Sequence, residues 1–129
     1  GSSGLVFFAD LDGLKKINDT YGHEFGDKAI QTQAQVLQKV FRQSDVVGRL
    51  SGDEFAVVAP GMPERALVKQ RKIIESFNFE LSNLNGLPFT ISLSFGAVAF
   101  DAENHNLKEL LKQADSKLYE EKRIKHAGR

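Results

Sequence analysis

Arg49-Leu50-Ser51-Gly52-Asp53-Glu54-Phe55 lies between two short apolar runs, Val46-Val47 and Phe55-Ala56-Val57-Val58-Ala59. Two β-branched runs parted by a few turn residues predict a β-hairpin. The turn carries Gly52 and two adjacent carboxylates, Asp53 and Glu54. Acids are frequent in turns, so this stretch taken alone reads as a solvated hairpin tip. A second acidic cluster changes that. Asp10-Leu11-Asp12 follows Leu5-Val6-Phe7-Phe8-Ala9, an apolar run without alternation. Such a run predicts a central strand covered on both faces.

Outward from these two clusters the chain alternates helices and strands. Gly13 to about Tyr21 predicts a short helix, with Asp12 as its N-cap. Gly22-His23-Glu24-Phe25-Gly26 reads as a loop, and Asp27 opens a helix to Phe41 with Ile30, Ala34, Leu37 and Phe41 inward. Pro63 to Phe77 predicts a helix that buries Leu67, Ile74 and Phe77, with Pro63 in its first turn. Asn83 to Gly86 reads as a turn. Phe89, Ile91, Leu93, Phe95 and Ala97 then alternate with Thr90, Ser92, Ser94 and Gly96. That period of two predicts an edge or half-covered strand with one small, polar face. The last helix is expected from Leu107 to Ile124, with Leu107, Leu110, Leu111, Ala114 and Leu118 inward. The fold class is mixed α/β (α+β).

The chain has 129 residues, 41% hydrophobic and 26% charged, enough for one domain with a core. Its 17 basic and 17 acidic residues cancel, so it carries no electrostatic footprint for a nucleic acid polymer or an anionic membrane. It has no Cys, which excludes disulfides, thiolate catalysis and Cys-ligated zinc. No run approaches the ~20 apolar residues of a membrane span. Gly1-Ser2-Ser3-Gly4 reads as a cloning remnant, and the domain is expected over 5–129. A start at Leu5, inside a strand, suggests a domain excised from a longer protein.

Carboxylates at the end of one strand and in a neighbouring hairpin turn can converge. Asp10, Asp12, Asp53 and Glu54 would then offer hard oxygen ligands to Mg²⁺, which needs few protein carboxylates. Such an ion polarises a phosphoryl oxygen and assists an attacking hydroxyl. Asp12 has the alternative of merely capping a helix. Asp10 directly after a buried strand is costly unless a cation or hydrogen bonds meet it. Backbone N–H groups near Gly13 suit phosphate, and Gly52 allows close approach. Lys15, Lys122 and Arg123 can supply charge, although a lone Lys on a helix is usually solvated. Asn18 and Asp27 flank the glycine-containing segment. A carboxylate and an amide match the guanine edge, but the same residues serve equally as a turn residue and an N-cap.

Taken together, Asp10-Leu11-Asp12-Gly13-Leu14-Lys15-Lys16-Ile17-Asn18-Asp19-Thr20-Tyr21-Gly22-His23-Glu24-Phe25-Gly26-Asp27 resembles the D-[LI]-D-x-[FL]-K-x-[IV]-N-D-x-x-G-H-x-x-G-D block of GGDEF domains. Ser51-Gly52-Asp53-Glu54-Phe55 resembles their naming signature, Ser92-Leu93-Ser94-Phe95-Gly96 their S-x-G strand, and Ala114 to Lys122 their late A-D-x-A-[LM]-Y-x-A-K helix. The blocks follow in the family's order from Leu5 to about Lys122. The resemblance implies a palm-like nucleotidyl-cyclase fold with a mostly antiparallel central sheet. It implies a diguanylate cyclase: two GTP become cyclic di-GMP and pyrophosphate, with Mg²⁺ or Mn²⁺, across a homodimer. By resemblance, Asp10, Asp53 and the Leu11 carbonyl bind metal, and Glu54 serves a second metal or assists deprotonation. Asn18 and Asp27 match guanine-binding positions. Gly13, Leu14, Gly52 and Lys122 match phosphate contacts. Arg42 and Asp45 match the R-x-x-D site at which product cyclic di-GMP inhibits. The alternative implied is a weak or inactive domain that binds GTP or cyclic di-GMP and regulates a neighbour. The cytoplasm is the expected location, with no membrane contact by the domain itself, whether or not the parent is anchored.

Three departures stand out. Ser51 replaces the first Gly of the signature. Lys125-His126 stand where a Gly-Arg pair is usual, and Gly128-Arg129 come later. The family's N-terminal D-x-L-T-G-L-x-N-R segment and helix are missing, so exposed apolar surface and self-association are expected.

Overall fold

The computed structural model describes residues 3–127; the Gly128-Arg129 pair lies outside the described residues. The elements are β1 (Gly4–Leu11), α1 (Leu14–Tyr21), α2 (His23–Val40), β2 (Val46–Ser51), β3 (Glu54–Pro60), a 3₁₀ turn (Glu64–Ala66), α3 (Leu67–Leu84), β4 (Leu93–Phe100) and α4 (Leu107–Ala127). The four strands form one antiparallel sheet in the order β2-β3-β1-β4. The expected central strand is therefore β1, paired on both sides.

Strand alternation divides the side chains of β1 between two layers. Leu5, Phe7, Ala9 and Leu11 face one way and join Phe55, Val57, Phe95, Val36, Leu37 and Ile74 in the main core. Val6 faces the other way and packs with Val98, Leu110 and Ala114, with Phe8 and Val58 partly buried beside them. Helices α2 and α3 thus cover one face, and α4 covers β1 and β4 on the other. On that second face Ala56 and Val58 stay half-buried and Val46 is exposed.

Several expected boundaries move. The Gly22–Gly26 loop is not a loop. Gly22, at φ 97°, ends α1 by donating its N–H to Asn18 O, and α2 begins at once with His23. One glycine at positive φ suffices to turn the chain, so Asp27 sits in the second turn of α2 and caps nothing. The buried face of α2 is Gly26, Ala29, Thr32, Gln33, Val36 and Leu37, rotated from the expected stripe; Ile30 and Ala34 pack only on its margin. Polar side chains can be buried there because they are bonded to other helical groups. Gln33 Nε2 donates to Asn78 Oδ1 on α3 at 3.2 Å, and Thr32 Oγ1 donates to Lys28 O at 2.8 Å.

Helix α3 runs on past Phe77 to Leu84, and Pro63 precedes a 3₁₀ turn rather than the α-helix itself. Strand β4 starts at Leu93, opposite Leu11, and extends to Phe100, opposite Gly4. The alternation from Phe89 is real, but pairing needs a partner, and β1 ends at Leu11. One further backbone bond joins Asp12 N–H to Ser92 O at 2.8 Å, and before it Ile91 N–H donates to Ser82 Oγ at 3.0 Å. The small face of β4 is not solvated either. A Cβ on Gly96 would lie 2.2 Å from Ala114 O, so α4 lies directly upon it. Leu107 is exposed, whereas Leu110, Ala114 and Leu118 are buried.

Candidate active site

The same alternation that sorts the core places the acids. Asp10 follows Val6 and Phe8 onto the α4 side of β1. It stands opposite Glu54 of β3 and Ser94 of β4. Two carboxylates directly opposite one another destabilise a sheet unless a cation compensates. Lys122 of α4 does so, its Nζ 2.6 Å from Asp10 Oδ2. The other oxygen, Asp10 Oδ1, is buried without a hydrogen-bond partner. Burial first, then the adjacent Asp53 carboxylate, push the Asp10 pKa up to about 6 against the opposing pull of Lys122.

Asp12 does not cap α1: the N-cap position is Gly13, at φ 68°, with no side-chain cap. Its carboxylate accepts instead from Ser94 Oγ at 2.6 Å, Ser92 Oγ at 2.8 Å and Lys125 Nζ at 2.8 Å. Burial raises its pKa, but the Lys125, Ser94 and Ser92 hydrogen bonds outweigh burial and hold it below the ordinary value. Because no side chain caps α1, the N–H groups of its first turn are left for a ligand.

The hairpin tip is tied to β1 by the Leu11 N–H, which donates to Asp53 O at 3.0 Å. Gly52 has φ 44°, and no described non-glycine residue has positive φ. Ser51 therefore bears no backbone strain of the left-handed kind, and the glycine requirement falls on Gly52 alone. The Ser51 hydroxyl donates to Glu54 Oε1 at 2.8 Å, and Arg49 Nε donates to Gly52 O at 2.8 Å. A register shift between Arg49 and Ser51 marks a β-bulge that bends the tip.

Asp10, Asp53, Glu54 and Lys122 are thus brought together at one end of the sheet. Gly13 and Lys122 line a cavity of about 830 Å³ together with Lys16, Tyr21, Lys125 and His126. Asp10, Asp53, Glu54, Leu14 and Gly52 do not line it, and neither do Asn18 and Asp27. Asn18 and Asp27 lie where α1 meets α2: a Cβ on Gly26 would fall 1.7 Å from Asn18 Oδ1, and Asp27 is exposed. Lys15 and Arg123 make exposed pairs with Asp19 and Glu120 on their own helices. Arg42 and Asp45 stand at the other end of the hairpin from Asp53. Asp45 has a fully buried side chain and accepts from the Arg42 backbone N–H at 2.8 Å and from Arg42 Nη2 at 2.8 Å. Arg42 Nη2 also donates to Pro60 O at 2.6 Å.

The residue pattern alone did not single out Lys125, Glu121, Arg71 and the two serines. Ser92 and Ser94 were legible as the polar face of a strand, which is the face Asp12 meets. The 121, 122, 125 spacing in α4 also places three charged groups on adjacent faces of one helix.

A family model described as "Diguanylate cyclase, GGDEF domain" matches residues 1–127. The chain belongs to the GGDEF family. Among curated GGDEF relatives, the probable diguanylate cyclase DgcC of Escherichia coli K12 is 40% identical over 125 residues, 96% of this chain and 33% of that protein. The cyclic di-GMP phosphodiesterase NbdA of Pseudomonas aeruginosa is 32% identical over 123 residues, 95% of this chain and 16% of that protein. The chain therefore spans a third or less of these relatives' length. Among solved structures, the active GGEEF domain of a Vibrio cholerae diguanylate cyclase has TM-score 0.80 at 25% identity, covering 95% of this chain and 78% of that one. The GGDEF domain of DgcB from Caulobacter crescentus, solved with cyclic di-GMP, has TM-score 0.77 at 26% identity, covering 95% and 74%. No helix among the described residues is long and apolar enough to cross a membrane.

Proposed function

We propose that this GGDEF domain is the catalytic domain of a diguanylate cyclase, condensing two GTP into cyclic di-GMP across a homodimer. One observation carries the reading. Asp10 presents a buried, unpartnered oxygen beside Asp53, on the same face as Glu54 and at the foot of an uncapped helix. Among the described residues no three His, Cys, Asp or Glu side chains form a closed metal site. A few carboxylate oxygens, one of them orphaned, are a donor set that fits Mg²⁺ or Mn²⁺, which keep water and substrate phosphate as their remaining ligands.

Asp10 and Asp53 would hold the ion, with the Leu11 carbonyl. When bound, it neutralises phosphate charge and makes the α-phosphorus more electrophilic. The chain's own groups do the rest. The first-turn N–H groups at Gly13 and Leu14 receive the triphosphate, and Gly52 lets the hairpin backbone approach it. Lys122 neutralises Asp10 until that carboxylate is used, and its ammonium then serves the phosphates. Asn18 and Asp27 hold guanine. Glu54 takes the proton of the attacking 3′-hydroxyl, or orients it, as the new P–O bond forms and pyrophosphate leaves. Paired subunits are needed because each 3′-hydroxyl attacks the other nucleotide.

A second reading is a GGDEF module that binds GTP or cyclic di-GMP without turnover. The Ser51–Glu54 hydrogen bond favours it, because it occupies an oxygen of the proposed base. The similarity to NbdA, a phosphodiesterase by name, shows that family membership alone does not assign synthesis. Product inhibition at Arg42 would require the guanidinium to leave Asp45 and Pro60, since Asp45 itself is buried.

The test is to present the chain as a dimer through a fused coiled coil and supply GTP and Mg²⁺. Cyclic di-GMP is the expected product, and GTP binding without product would leave the regulatory reading. Asp53→Ala is expected to abolish turnover with circular dichroism unchanged.

A further inference from the structure

Glu121 of α4 is the place where the two layers of the fold are tied around the open edge of the sheet. Phe95 of β4 turns its side chain into the α2–α3 core, 5.4 Å from Phe7 between ring centroids. Strand β4 pairs with β1 on one side only, and the Phe95 N–H points out of the other. Glu121 Oε2 accepts that N–H at 2.6 Å. Its Oε1 forms an ion pair with Arg71, which belongs to α3 on the opposite layer. The Arg71 guanidinium in turn lies over the Phe95 ring, 4.1 Å from its centroid. One carboxylate therefore joins α4, β4 and α3.

The placement matters because two site lysines stand just beyond Glu121 on the same helix. The next residue, Lys122, reaches Asp10, and Lys125, one turn on, reaches Asp12 and Leu93 O at 2.8 and 3.1 Å. A helix that can rotate or slide over a sheet carries its lysines with it. Upstream, Leu110, Ala114 and Leu118 hold α4 by apolar contact. Past Leu118 the helix exposes Tyr119 and Ile124 and has no further buried apolar residue. Its position at the site is then set by polar anchors, and the carboxylate of Glu121 bonds a backbone group of the sheet, which cannot move independently of β4.

The geometry points to Glu121 as a positioning residue: bonded to the Phe95 N–H and Arg71, it fixes the turn of α4 from which Lys122 serves Asp10 and the phosphates. The service of Lys122 to the phosphates rests on the cyclase-site reading; its placement beside Asp10 does not. Arg71 has a supporting part, holding Glu121 by charge and Phe95 by its ring.

Two measurements on the whole chain test it. The first is the rate at which the Lys122 amine is acylated, read by mass spectrometry well below the unfolding temperature. The second is GTP affinity with Mg²⁺, by calorimetry. In Glu121→Ala, Lys122 is expected to label faster and GTP affinity to fall by ~tenfold or more, the usual scale for a supporting residue. In Glu121→Gln, which keeps an acceptor for the Phe95 N–H but loses the charge that pairs with Arg71, both changes should be partly rescued. Thermal denaturation runs alongside, to separate lost stability from lost position. A Glu121→Ala protein with lower stability but wild-type Lys122 labelling would overturn the proposal. If Glu121→Ala does not fold, Arg71→Met decides, since freeing one oxygen of Glu121 should still speed labelling. If wild type fails to bind GTP, the cyclase-site reading fails, while the labelling comparison still judges Glu121.

Discussion

Gly26 and Asn18 are matched to one another at the scale of single atoms. The Asn18 carboxamide occupies the volume that any side chain at position 26 would need. Alanine is the better helix former by ~0.5–1 kcal/mol, so Gly26→Ala should leave the fold as stable or more so. It should nevertheless weaken GTP binding, because Asn18 must leave its place. Calorimetric GTP titration beside thermal denaturation would check this, and unchanged affinity would remove Asn18 from the site. The hairpin tip makes a second residue-scale contrast. Gly52 has positive φ and Ser51 does not. Gly52→Ala is expected to cost ~1–2 kcal/mol of stability in urea denaturation, the penalty of the left-handed region. Ser51→Ala loses one exposed hydrogen bond and should cost less than ~1 kcal/mol. The sequence left open whether serine suits the signature's first position; the answer depends on φ, which residue identity does not state.

Among the elements, α4 is the one whose seating decides the site. Gly96 lets it lie directly on β4, with Ala114 O and Leu118 N where a Cβ would go. Both contacts are backbone atoms and cannot rotate away. Gly96→Ala should therefore cost ~1–3 kcal/mol, as overpacking does, and should also reduce GTP affinity by shifting Lys122 and Lys125. Urea denaturation and calorimetry give the two readouts; a stability loss with unchanged affinity would show that the lysines follow the sheet and not the helix. The alternation from Phe89 was readable as a strand, but its partner set where pairing begins. The buried face of α2 is rotated from the apolar stripe for a related reason, although Leu37 and Phe41 belong to both. Gln33 looks like a surface residue until Asn78 of α3 accepts from it, and Thr32 until Asn85, just past α3, donates to its hydroxyl.

For the whole molecule, the two acids of β1 respond to pH in opposite senses. Asp10 has its pKa raised from 3.8 to about 6, so its proton is bound more tightly in the folded chain. Its contribution to stability is complete below 3.8 and is lost as pH rises through about 6. Asp12 is held below 3.8, so its contribution is present above that value and is lost as pH falls through its lower folded value. A metal on Asp10 must displace that proton. Affinity for Mn²⁺ should therefore rise as pH passes through about 6 and flatten above it, with proton uptake by the buffer at the midpoint. Titration calorimetry in buffers of different ionisation enthalpy would measure both. A flat affinity would mean that Asp10 is not a ligand.

The sequence by itself determined the α/β class, the hairpin, the central strand and the motif order from which the family is recognised. These are local properties: periodicity, turn residues and short blocks whose meaning does not depend on distant neighbours. It also marked Asp10, Asp53, Glu54 and Lys122 as chemically suited to one site. Only the tertiary structure decided how they are held. Asp10 lies on the α4 face because β1 alternates, Lys122 meets it because α4 seats on Gly96, and Asp12 is held by Lys125 and is no cap. Burial and pairing are set by residues far apart in the chain, so the raised pKa of Asp10 and the Glu121–Arg71 tie across the sheet edge exist only once the layers have packed.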